Sequence, residues 1–157
     1  IDWGGVLPNG IPPLEYPRVT QARQATYLDD DDVVFGITVG RRARAYPKRI
    51  LVWHEMVIDD IGGVNLTIVY CTLCGTVIPY ESIAENRYFR FGTSGLVYRS
   101  NKLMFDFETK SLWSTVQGGT GRRGPRRAWF TAHAAGDGDD DVGRVASPTS
   151  ADYGSVT

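Results

Sequence analysis

Cys71 and Cys74 are the only cysteines of the chain, and they stand in the run Cys71-Thr72-Leu73-Cys74-Gly75. This spacing suits two kinds of chemistry. In a metal-binding knuckle the chain turns back so that both sulfurs face one centre. The residue after the second cysteine then often takes positive φ, which glycine reaches without a Cβ clash. In a redox pair, the same closeness lets Cys71 attack a substrate disulfide and Cys74 resolve the mixed disulfide. A third reading is a pair of buried thiols packed as small apolar side chains. One pair cannot fill a tetrahedral zinc site, and no second Cys-x-x-Cys exists, so further ligands have to come from elsewhere.

His54 is the candidate third ligand. Ile50, Trp53, His54 and Val57 follow the i, i+3, i+4, i+7 spacing of one helical stripe behind Pro47, which predicts a helix that turns His54 inward. Glu55 lies about 100° further round, at the edge of that face, as a general base or as a hydrogen-bond partner of a ligand. Thiolate plus imidazole matches zinc or copper. The zinc-protease pattern His-Glu-x-x-His fails at Ile58. The redox reading is weakened because Thr76-Val77-Ile78-Pro79-Tyr80 reads as a strand, where a thioredoxin-type pair has a helix N-terminus. A non-enzymatic binding module with a structural knuckle is the remaining alternative. The reading favoured is a metal-binding domain, with metalloredox chemistry open to it.

Other motifs read as structure. Gly92-Thr93-Ser94-Gly95 lacks the final glycine of a Gly-x-Ser-x-Gly elbow, because position 96 is leucine, and is expected to be a tight turn. Asp29 to Asp32 are four adjacent carboxylates without the spaced ligands and turn glycine of a calcium loop, which predicts a solvated acidic turn.

The elements that must position these residues are mainly strands. Residues 1–17 are rich in Gly and Pro and are expected to form an extended arm around a domain edge. Thr20 caps an expected short helix over 21–28. Val33 to Val39 and Ala43 to Tyr46 predict a hairpin, and Asp59 to Gly63 a turn. Val64, Leu66, Ile68 and Tyr70 then alternate with polar residues in a strand that delivers Cys71. Segments 76–80, 88–92, 96–98 and 102–107 also have strand character. The expectation is a β-rich α+β domain over residues 18–118, an antiparallel sheet or barrel-like core with one or two short helices. An irregular tail follows over 119–157.

At 157 residues, 42% hydrophobic, 22% charged and net charge -1, the chain has the composition of a soluble domain, with no electrostatic case for nucleic acid. No run of about 18 apolar residues predicts a transmembrane helix. The partner expected is an unidentified small molecule or protein. Ile1 is not a translation start, so the chain is expected to begin inside a longer product.

Ala43-Arg44-Ala45-Tyr46-Pro47, Trp53-His54-Glu55, Tyr70 to Gly75, Gly92 to Leu96 and Ser111-Leu112-Trp113 occur in this order, and together they make the chain resemble the prokaryotic family named domain of unknown function 3179. The resemblance spans roughly residues 11–118. It implies that the histidine-glutamate step and the cysteine pair belong to one pattern and face one pocket. It also implies an extracytoplasmic location, because members often look exported or lipid-anchored. Thr72 stands where the family usually shows proline. The family's later Trp-Gly-Glu-Trp stretch is missing. Asp139 to Ala146, read one nucleotide later, can encode it, which makes a frameshift near Thr120 the preferred account of a loose tail.

Overall fold

The computed structural model describes residues 1–84, 86–116 and the backbone of 145–146. In chain order these form β1 (Asp2–Trp3), β2 (Leu14–Glu15), β3 (Val19–Thr20), β4 (Val34–Val39), β5 (Arg42–Pro47), α1 (Lys48–His54), β6 (Met56–Ile61) and β7 (Val64–Cys71). There follow β8 (Thr76–Glu81), β9 (Ile83–Ala84), β10 (Arg87–Tyr88), β11 (Phe91–Tyr98), β12 (Asn101–Asp106), β13 (Leu112–Ser114) and β14 (Val145–Ala146). The fold is mainly β, as the alternation requires. It is built from separate sheets, ordered β2-β6-β7-β8, β1-β11-β12-β13 and β3-β14-β5-β4, with a small β9-β10 hairpin.

The β6-β7-β8 sheet is the centre, because both of its faces are covered. Side chains of a strand alternate between faces, and β7 uses each face for a different core. Leu66, Ile68 and Tyr70 pack with Val57 and Ile61 of β6 against Ile37, Tyr46 and the α1 residues Ile50 and Leu51. Val69 points the other way. With Met56 and Tyr80 it meets Phe91, Met104 and Trp113 of the β11-β12-β13 sheet. Each fully buried aliphatic side chain in these layers contributes about 1.5–3 kcal/mol of hydrophobic stabilisation. Cys71 continues the odd-numbered face of β7, so the alternation aims it at β12.

The arm ties the sheets together. β1 pairs with β11 and β2 runs parallel to β6. Between them, Asn9 N–H donates to Thr93 O and Thr93 Oγ1 donates to Ile11 O. The Gly92–Gly95 segment is therefore no tight turn. It lies within β11, where the register shifts between Thr93 and Val97. Gly95 has φ +74, and a Cβ there would fall 2.0 Å from Val6 O, so the glycine is what admits the arm. Ser94 is buried and donates to Leu103 O at 2.6 Å, leaving no elbow nucleophile.

Three expectations about local structure change. The helix over 21–28 shrinks to a single 3-10 turn, Ala22–Gln24. The acidic turn is real, with Asp29 N–H donating to the Asp32 carboxylate and Arg49 bonded to Asp32. The stripe Ile50, Trp53, His54, Val57 does not exist as one face. α1 ends at His54, Glu55 takes the left-handed conformation with φ 54, and Val57 belongs to β6. Trp53 is 65% exposed. Asp59 and Asp60, expected in a turn, lie inside β6, and only Gly62-Gly63 turns the chain.

β14 lies between β3 and β5, antiparallel to one and parallel to the other. At Val145–Ala146 the chain is thus paired. The rest of the tail lies outside the described residues. Among the described residues, no helix is long and apolar enough to cross a membrane.

Candidate thiol site

β7 ends at Cys71 and β8 begins at Thr76, paired with it, so Thr72 to Gly75 form the turn of a hairpin. Gly75 has φ +64, the positive value expected behind the second cysteine. Both cysteines are free thiols, Cys71 buried at 3% exposure and Cys74 exposed.

The two sulfurs share a hydrogen bond, and the surroundings decide which of them holds negative charge better. Burial pushes the Cys71 thiol up. The hydrogen bond from the Cys74 side chain and the backbone N–H groups of Lys102, Cys74 and Leu73 outweigh that, and hold Cys71 below the ordinary thiol value. Cys74 moves the other way. Burial and its hydrogen bond to Cys71 raise it, with Thr76 opposing. The inner sulfur is therefore the better thiolate, and the outer one is what solvent reaches.

Glu55 and Lys102 complete the site. The left-handed turn at Glu55 lets its N–H cap α1 at Leu51 O while its own carbonyl accepts Tyr70 N–H, which places it beside the end of β7. Its carboxylate then takes Thr72 Oγ1 at 2.8 Å and Lys102 Nζ at 2.6 Å. Lys102 is buried on the face of β12 that also carries Met104. Burial lowers the Lys102 pKa. The Glu55 carboxylate and the charges of Cys71 and Cys74 act in the opposite direction.

Of the sequence-derived site residues, Cys71, Cys74 and Glu55 are brought together. His54 is half-buried at the end of α1, and its Nδ1 lies 3.0 Å from Pro12 O of the arm. Among the described residues, no three or more His, Cys, Asp or Glu side chains form a group suited to one metal ion. Lys102 was not singled out by the sequence, and Thr72 only as a departure from the family's usual proline. The usable signal was a lysine alternating with Met104 and Asp106 on the inward face of an apolar strand.

The fold and site define a mainly β domain with a reduced Cys-x-x-Cys turn at a strand end, backed by a buried lysine-glutamate pair. The family described as "Protein of unknown function (DUF3179)" matches residues 8–127, and the chain belongs to it. That match runs past Gly118, where the resemblance read from motifs stopped. No curated protein and no solved structure matches the chain.

Proposed function

We propose that this domain is a thiol–disulfide exchange module, in which Cys71 and Cys74 cycle between dithiol and disulfide against a disulfide of another protein or small molecule. The observation that carries this reading is the asymmetric sulfur pair: hydrogen-bonded thiols, the inner one stabilised as thiolate and the outer one accessible. Accessibility reverses the order expected from sequence. Cys74, its proton passing towards Cys71, attacks the partner disulfide and releases one partner thiol. Cys71 then loses its proton and attacks Cys74 Sγ, releasing the second. Two S–H bonds and one partner S–S bond break, and one protein S–S bond and two partner S–H bonds form. The partner is reduced by two electrons. An extracytoplasmic setting, part of this reading, is where such pairs act on structural disulfides.

The test is equilibration of the full chain in glutathione redox buffers, with alkylation and peptide mass analysis of both cysteines. Reversible loss of both thiols, with a Cys71–Cys74 disulfide, is expected. The competing reading is a zinc or copper site. It predicts stoichiometric metal in the purified protein, thiols that react only after chelation, and loss of the metal in Cys71→Ser or Cys74→Ser but not in Ser94→Ala. That result would replace exchange by metal binding.

A further inference from the structure

Lys102 sits where a lysine is costly. It lies between two packed sheets on the face shared by Met104 and Asp106, all three buried. Its 2.6 Å pair with Glu55 offsets that cost, but a buried ion pair is weak evidence for net stability, since an apolar pair of the same volume often does as well. What distinguishes this lysine is its neighbours. Its backbone N–H stabilises the Cys71 thiolate, and its ammonium interacts with the charge of both sulfurs. Glu55 fixes the ammonium with one carboxylate oxygen and, through Thr72, the cysteine turn with the other.

We infer that Lys102 is the positioning residue of the thiol pair: its ammonium, held by Glu55, favours the reduced pair over the disulfide. The inference rests on the exchange reading above. Reduction places negative charge on sulfur beside a cation, and oxidation removes it, so the cation stabilises the reduced side of the equilibrium. The pair is thereby made a stronger oxidant than the same turn without the lysine.

The experiment measures the dithiol–disulfide equilibrium of the full chain in glutathione buffers, with thermal unfolding as the check on folding. Lys102→Met is expected to shift the equilibrium about tenfold towards the disulfide, equivalent to about 30 mV more negative. Lys102→Arg keeps the cation and should stay near the parent. The double variant Glu55→Gln, Lys102→Met removes both charges, leaves no unpaired carboxylate, and should shift in the same direction even where the single variant fails to fold. Tyr46→Phe, on the opposite face of the β6-β7-β8 sheet, perturbs packing without touching the cysteine turn and should leave the equilibrium in place. A folded Lys102→Met or double variant with the parent equilibrium overturns the inference, as does an equal shift in Tyr46→Phe. Failure of the exchange reading is separately visible: the parent chain would form no Cys71–Cys74 disulfide in any buffer.

Discussion

Two cation–carboxylate pairs lie on opposite faces of the β6-β7-β8 sheet, and they are built to different ends. On one face Asp59 accepts Arg44 Nη1 at 2.5 Å and the Tyr46 hydroxyl at 2.6 Å from the neighbouring hairpin. Burial and the adjacent Asp59 charge push the Tyr46 hydroxyl far up, so it remains a donor. The cluster is closed: carboxylate, guanidinium and phenol bind one another, although Arg44 Nε has no hydrogen-bond partner among the described residues. On the other face, Glu55 and Lys102 have the same charges and nearly the same distance, but they border two thiols and an exposed turn. A closed pair fixes how two sheets meet. An open one acts on the chemistry beside it.

The largest expected effect separates these roles. Asp59→Ala leaves the half-buried Arg44 and the buried Tyr46 without their acceptor, and removing one partner of a buried pair costs about 3–5 kcal/mol. Urea unfolding should show that loss. In variant protein that is still folded, the Cys71–Cys74 equilibrium should match the parent. A thiol equilibrium that moved with Asp59 would break the distinction between the faces.

A third carboxylate sharpens it through pH. Asp106 is buried on the same face of β12 as Lys102, yet among the described residues it answers to no cation: Trp113 Nε1 donates at 2.7 Å, and the Thr109 hydroxyl and backbone N–H also donate. Burial raises its pKa, but these hydrogen bonds outweigh burial and hold it below the usual carboxylate value. A depressed folded pKa gives stability that is complete above the unfolded value, about 3.9, and is lost as pH falls through the folded one. Asp106→Asn should therefore flatten the acid limb of the stability profile below about pH 4. An unchanged acid limb would show that the hydrogen bonds do not favour the charged form.

The architecture was legible where one strand's own pattern carried it. Val64, Leu66, Ile68 and Tyr70 alternate with Asn65 and Thr67, and that alternation delivered Cys71 to a strand end. What failed was local pattern at a boundary. Glu55 ends α1 in a left-handed conformation usually taken by glycine, so nothing in the sequence marked the stop. The helical spacing then ran on through Val57, and β6 was lost with it. Asp59 and Asp60 looked like a turn because the groups that bury Asp59, Arg44 and Tyr46, come from another hairpin. Lys102 was hidden for the same reason. Its strand was readable, but that it faces Cys71 across two sheets is a fact of packing, more than thirty residues away in sequence.

The smallest effects test the comparison most finely, because each carboxylate has one hydroxyl donor and the donors differ only in setting. Tyr46→Phe removes a buried hydroxyl from Asp59 while Arg44 stays, and a hydrogen bond to a charged group contributes about 1.5–3 kcal/mol. Thr72→Val removes the corresponding donor from Glu55, but Thr72 is exposed and water can take its place. The loss there should be under about 1 kcal/mol, with Lys102 still paired. Urea unfolding of both variants at neutral pH gives the two numbers side by side. Equal losses would mean that the turn end of the Glu55 cluster is as dry as the Asp59 cluster. It could not then be open to a substrate disulfide at Cys74, and the exchange chemistry assigned to that sulfur would lose its access.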